Sequence, residues 1–177
     1  FKQFVEAATT IVESNRHVRV EIAGLDEVNY GGIVPEEGSW KKWAIEYFKI
    51  RGISENIQWV GRLTFSKYVE WLQKSWCHVY LSHPFVPSWS LYEALATGCP
   101  MVVSDIKAHD FLANIKSVTL VDHRNPKRVS EGIAMQLKGD GVTLNASERR
   151  VLLPSFEVGQ CLERWRAVAG LEMPTAA

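Results

Sequence analysis

Residues 81–105 read LSHPFVPSWSLYEALATGCPMVVSD, and this stretch decides how the rest of the chain is interpreted. Ser88 or Ser90 can cap a helix through Leu91, Tyr92, Glu93, Ala94, Leu95 and Ala96, and Gly98 followed by Pro100 stops it. An apolar strand precedes the loop and another, Pro100 to Ser104, follows the helix. A strand that runs through a loop into a helix N-terminus leaves backbone amides free, and an anion such as phosphate can sit on them. Glu93, about one turn into the helix, then places a carboxylate beside that anion site.

Working outward, the same rhythm continues in both directions. Upstream, Phe1, Phe4, Val5, Ala8, Ile11 and Val12 follow helical spacing from the first residue, without a cap, as if the sequence were cut from something longer. Val18 to Ala23 alternates and closes on Gly24, which predicts a strand. Leu25 to Gly38, rich in glycine and containing Pro35, predicts a long loop near the functional edge of a sheet. Gly38 or Ser39 opens a helix with Trp40, Trp43, Ala44, Tyr47 and Phe48 on one face, ending near Gly52. Asn56 to Val60 reads as a strand closing on Gly61. A third helix after Thr64 or Ser66 carries Phe65, Tyr68, Val69, Leu72 and Trp76 in register, and Cys77 to Ser82 is a buried strand.

Downstream, a short helix at Ala108 to Leu112 and a strand at Ser117 to Val121 precede a helix over Lys127 to Leu137, with Val129, Ile133, Met135 and Leu137 apolar. Asn145 to Ala169 reads as mostly helical, interrupted at Pro154, with Trp165 on its apolar side. Residues 171–177 read as a tail. Strands alternating with helices predict a doubly wound, Rossmann-like parallel sheet with helices on both faces. Ligands of such sheets bind outside the carboxyl ends of the strands, here Gly24, Gly61, Ser82 to Ser88, Asp105 and Asp122.

Composition narrows the function classes. The 177 residues carry 20 Lys plus Arg against 20 Asp plus Glu, so no broad basic footprint for nucleic acid exists. No apolar run reaches membrane-spanning length and no signal peptide is visible. Cys77, Cys99 and Cys161 lack metal or disulfide spacing and read as reduced packing residues. His17, His78, His83, His109 and His123 show no short metal-ligand spacing, so no metal is assigned. The absence of G-x-G-x-x-G after an early strand disfavours a dinucleotide oxidoreductase. A flavodoxin-like signalling domain would fit the rhythm but gives no reason for SWSLYEALATG.

In order along the chain, FKQFVEAA, VEIAG, IQWVGRL, the 81–105 stretch and SVTLVDHRNP resemble the nucleotide-binding half of a GT-B fold glycosyltransferase, most of all the retaining family 4 enzymes. The resemblance implies that residues 1–170 form a single donor-nucleotide-binding domain, with a first strand and an acceptor-binding domain lying upstream. It implies transfer of a hexose from a UDP- or GDP-sugar to a sugar or lipid-linked acceptor, without a metal cofactor. Glu93 matches the glutamate that holds the ribose hydroxyls. The amides of Trp89, Ser90 and Leu91, with Ser88, match the helix start that carries the diphosphate, and Gly61 and Arg62 match the turn against base and phosphate.

Phe85, Val86 and Pro87 then face the donor sugar, and Phe85 stands where the family has its first glutamate, eight residues before Glu93. A phenyl ring cannot accept a hydrogen bond from a hydroxyl. A non-catalytic GT-B-like binding module is therefore the alternative. No catalytic residue is assigned within the chain, because the family's Arg and Lys pair precedes the position of Phe1. Without that pair the departing diphosphate would lose stabilisation of the order of several kcal/mol, so the isolated chain is expected not to turn over. The reading places the protein in the cytoplasm, with peripheral membrane association through the upstream half.

Overall fold

The computed structural model describes residues 1–26, 38–139 and 158–169. Its elements are α1 (Lys2–Ser14), β1 (Val20–Ala23), α2 (Trp40–Ile50), β2 (Ile57–Gly61), α3 (Phe65–Lys74), β3 (His78–Tyr80), α4 (Trp89–Thr97), β4 (Met101–Ser104), β5 (Val118–Val121), α5 (Pro126–Lys138) and α6 (Val158–Ala169). Strands and helices alternate and every ladder is parallel, as expected of a Rossmann-like fold. Four of the expected strands shrink by one to three residues, and Asn56–Val60 shifts by one to Ile57–Gly61. Ser82, for example, gives its amide to Ser104 Oγ at 2.8 Å instead of to a ladder. Within 25–38 and 145–169, residues 27–37, residues 145–157 and the side chain of Trp165 lie outside the described residues, as does the tail.

One expectation is corrected in detail. The strands do not form a single continuous ladder: β1 pairs with β2, and β3, β4 and β5 form a separate three-stranded sheet. No hydrogen-bonded ladder joins β1 to β3 among the described residues. Helices nevertheless cover both faces. β4 is buried throughout, and its alternation sends Met101 and Val103 toward Leu72 of α3 and Leu91, Ala94 and Leu95 of α4. Val102 points the other way, into Ala7 and Ile11 of α1 and Val129 and Ile133 of α5.

The opposite shoulder of α1, Val5 and Val12, packs with Ala44 and Phe48 of α2 beneath β1 and β2. A fully buried side chain of this size contributes about 1.5–3 kcal/mol relative to an exposed one. Several apolar residues assigned to inward faces are exposed instead, Phe1, Leu162 and Val168 among them. Phe65 opens α3 and is 67% exposed, Trp76 falls beyond the end of α3 and is 68% exposed, and Met135 on α5 is 65% exposed. Trp71, which helical counting passed over, packs against the α3–α4 core and donates its indole N–H to Glu21 at 2.7 Å. Residue 108–112 backbone winds as a 3₁₀ helix spanning Lys107–Leu112.

The start of α2 is built from Ser39. Its Oγ accepts from the Lys42 amide at 3.0 Å and donates to Asp26 Oδ2 at 2.6 Å. This one hydroxyl caps the helix and ties it to the chain leaving β1. Ser39→Ala is expected to lower the unfolding free energy by about 1 kcal/mol, read as a shift in urea midpoint at constant slope.

Candidate functional site

The residues singled out around Ser88 gather where β3 feeds α4. Ser88 is the N-cap residue by its backbone, with φ −85° and ψ 162°, but its side chain does not cap the helix. Its Oγ accepts from Tyr80 Oη at 2.9 Å and lies 2.7 Å from Ser90 Oγ. With the hydroxyl turned to these partners, the amides of Trp89 and Ser90 have no acceptor among the described residues. Leu91 differs from expectation, because its amide already donates to Ser88 O at 3.1 Å in a tight first turn. The anion-facing donors are thus two amides rather than three, in the field of a nine-residue helix.

Glu93 is half-buried on α4, and its charge, after burial itself, raises the phenol pKa of Tyr68 on α3. The carboxylate therefore stands between α4 and the partly buried face of α3. Phe85 and Val86 are 78% and 67% exposed and Trp89 is 82% exposed, so the loop mouth is apolar and solvent-facing. Pro87 is half-buried beside them. Gly61 ends β2 with φ 68°, a left-handed turn that favours glycine, and its carbonyl accepts from the Gly24 amide at 2.9 Å. Arg62 follows it, exposed. These two lie at the edge of the β1–β2 sheet, whereas Ser88 to Glu93 lie at the edge of the β3–β5 sheet.

Two features were not anticipated. His83, His109 and His123 leave β3, β4 and β5 at the same edge. His109 is fully buried and its Nδ1 donates to Ser104 O at 2.8 Å, leaving Nε2 without a partner. His123, 9% exposed, meets the ring of His83 edge to face at 5.6 Å, with neither of its own ring nitrogens hydrogen-bonded. Burial, then the neighbouring His83, lowers its pKa. The second feature is a cavity of about 260 Å³ at the end of β1, lined among others by Trp40, Trp59, Asp26 and Lys41. Its lining includes Phe1 and Gly24 and no residue of α4. Helical counting had placed Trp40 on a packing face, which hid its part in this cavity.

Other reactive groups are quiet. Burial pushes the thiol of Cys77 up to about 12 and that of Cys99 to about 11, which makes them poor nucleophiles. Among the described residues, no group of three or more His, Cys, Asp or Glu is placed to hold a metal ion. None of the described helices is long and apolar enough to cross a membrane.

The family model for glycosyl transferases group 1 matches residues 1–150. The chain belongs to that family. No curated protein matches it in sequence, so proteins of known structure provide the comparison. The C-terminal domain of the group 1 protein LpcC from Francisella tularensis superposes with a TM-score of 0.69 at 16% identity, covering 88% of this chain and 78% of that one. Anabaena HepE, solved in complex with UDP, gives 0.76 at 12% identity over 96% of this chain and 45% of its own. A variant of S. aureus TarM, solved with fondaparinux, alpha-GlcNAc-glycerol and UDP, gives 0.72 at 17% identity over 94% and 32%. At these identities the likeness establishes the Rossmann-like GT-B fold. The chain spans less than half the length of the HepE and TarM chains it matches.

Proposed function

We propose that residues 1–170 bind the donor nucleotide of a retaining hexosyltransferase, which moves a sugar from a UDP- or GDP-sugar to a sugar or lipid-linked acceptor. The observation that carries this reading is the start of α4, where two free amides lie one turn before Glu93 at the exit of a parallel strand. The amides and helix dipole suit a diphosphate, and a carboxylate accepts both hydrogens of a vicinal diol. That HepE and TarM structures contain UDP supports the same class of ligand. Phe85, Val86 and Pro87 then border the donor sugar, and Gly61 and Arg62 border the base. The helix terminus takes the role that a metal would otherwise play toward the diphosphate.

Titration of the chain with UDP and with GDP, followed by amide NMR, is expected to shift the signals of Ser88 to Glu93. Glu93→Gln is expected to weaken binding about 10- to 100-fold, the worth of charge-assisted hydrogen bonds to a diol. Unmoved signals at millimolar nucleotide would refute the assignment. The exposed phenyl ring of Phe85, in place of a carboxylate, favours a second reading as a binding module without transfer chemistry. Donor hydrolysis or transfer by the full-length protein would exclude that second reading.

A further inference from the structure

The turn after β5 buries His123 without giving it a hydrogen bond. The residue is 9% exposed, and neither Nδ1 nor Nε2 has a partner among the described residues. Buried polar atoms left unpaired cost free energy, which biases the site toward any arrangement that brings water to them. The ring set against His123 is that of exposed His83, edge to face, with centroids 5.6 Å apart and planes at 83°.

His83 opens the segment between β3 and α4, and that segment is held at its two ends. Before it, the Ser82 amide donates to Ser104 Oγ at 2.8 Å; after it, Ser88 Oγ accepts from Tyr80 Oη at 2.9 Å. Between these anchors, residues 83–87 make no backbone hydrogen bond among the described residues, and Phe85 and Val86 face solvent. Pro84 and Pro87 stiffen the stretch, so a displacement of His83 carries Phe85 with it. We propose that the His83–His123 contact is a proton-operated latch: with both rings neutral it holds residues 83–87 to the sheet edge, and a proton on His123 releases them.

A proton turns both His123 nitrogens into donors, and among the described residues no acceptor meets either of them. Burial opposes the charge most, then His83; Asp122 in the same turn favours it, while Arg124 beside it and His109 from the 3₁₀ helix oppose it. Asp122 is already engaged, its Oδ1 accepting from the amide and Nε of Arg124, both at 3.1 Å. While the contact is closed the ring therefore takes up its proton below its ordinary value of 6.5, and once released into water it does so near that value. The open arrangement binds the proton more readily, so the closed one prevails at neutral pH and gives way as pH falls through that interval. On the donor-nucleotide reading, on which this consequence rests, acid loosens the border of the sugar and spares the amides of Trp89 and Ser90.

The test follows the isotope-labelled chain without nucleotide from about pH 7.5 to about 5.5, where histidine titrates, with the amides of β4 reporting that the fold persists. The Cε1–H signal of His123 gives its titration, and nitrogen-15 relaxation gives the order parameters of the Phe85 and Val86 amides. These are expected to fall from the rigid value of about 0.85 to below about 0.6, with the midpoint of the His123 signal. His123→Phe keeps a buried ring that cannot be charged, so its order parameters should stay high although His83 still titrates. His83→Ala should give low values at neutral pH as well. Order parameters that ignore pH in the parent, that fall equally in His123→Phe, or that stay high in His83→Ala overturn the latch. So does a His123 midpoint at or above 6.5. UDP and GDP, added at neutral pH, give a separate reading: if Ser88 to Glu93 stay still while Phe85 and Val86 loosen in acid, the nucleotide proposal falls and the latch stands.

Discussion

Replacement of Gly132 by valine is expected to destabilise the chain by about 3 kcal/mol or more. Gly132 lies on the face of α5 that packs on β4 and β5, and a Cβ built there comes 2.8 Å from Val121 Cγ1, 3.3 Å from Val102 Cγ1 and 3.4 Å from Thr119 Cγ2. The first distance is too short for any Cβ, and the atoms it meets belong to β-branched side chains locked in a buried sheet. Either α5 lifts away from the sheet or the strands shift, and overpacking of this kind costs about 1–3 kcal/mol for a modest addition. Valine adds two further methyl groups to the clash. Alanine at the same position recovers up to about 1 kcal/mol of helix propensity, so its net loss is smaller. Gly159 on α6 is the control: an added Cβ meets nothing within 4 Å among the described residues, so Gly159→Ala is expected to carry only the propensity gain. Urea unfolding of the three variants checks this ordering, and a Gly132→Val midpoint equal to that of the parent would show that α5 does not sit this close.

The second large effect is acid sensitivity well above the carboxylate range. His78 opens β3 against the edge of the Trp71 ring at 5.8 Å, and burial pushes its pKa down to about 4. Unfolded, the same side chain titrates near 6.5. Between those values the unfolded chain binds a proton that the folded chain refuses, so stability falls as pH falls. The loss through His78 alone amounts to about 2.5 kcal/mol by pH 4.5. His123, lowered in the same sense by burial, adds to the slope. The carboxylates of Glu13, Glu70 and Asp122, lowered by hydrogen bonds to Arg51, Lys67 and Arg124, act in a lower window, as pH falls below their unfolded values. His78→Asn should therefore flatten the stability profile between pH 7 and 4.5 while leaving the steeper fall below pH 4.5. Chemical denaturation at half-unit pH intervals distinguishes the two windows, and an unchanged profile in the variant would refute the assignment to His78.

The periodic segments were legible because their burial is decided locally. Val5, Ala8, Ile11 and Val12 alternate on a helical period, and all four are buried where that period puts them. Gly98 stops α4 in the left-handed conformation that a C-terminal glycine favours. What escaped was decided by distant partners. Trp71 is turned toward Glu21, fifty residues away in sequence, by a hydrogen bond that no window of helical counting contains. Trp76 lies in the extended chain past α3, so its apparent register has no helix to express it. The Leu91 amide is consumed by a tight first turn, and the hydroxyl of Ser88 is drawn off by Tyr80, details that depend on backbone angles rather than on residue type. The histidines at the strand exits looked like ordinary loop residues because only the sheet brings His83 against His123.

The gap in the ladder between β1 and β3 gives α1 a mechanical role. Ala7 and Ile11 grip the β3–β5 side while Val5 and Val12 grip the β1–β2 side. The helix works as an axle carrying two plates that share no strand-to-strand hydrogen bonds among the described residues. The Trp71–Glu21 bond forms a tie on the opposite face. The start of α4 and the end of β1 thus sit on different plates, with α1 packed against both.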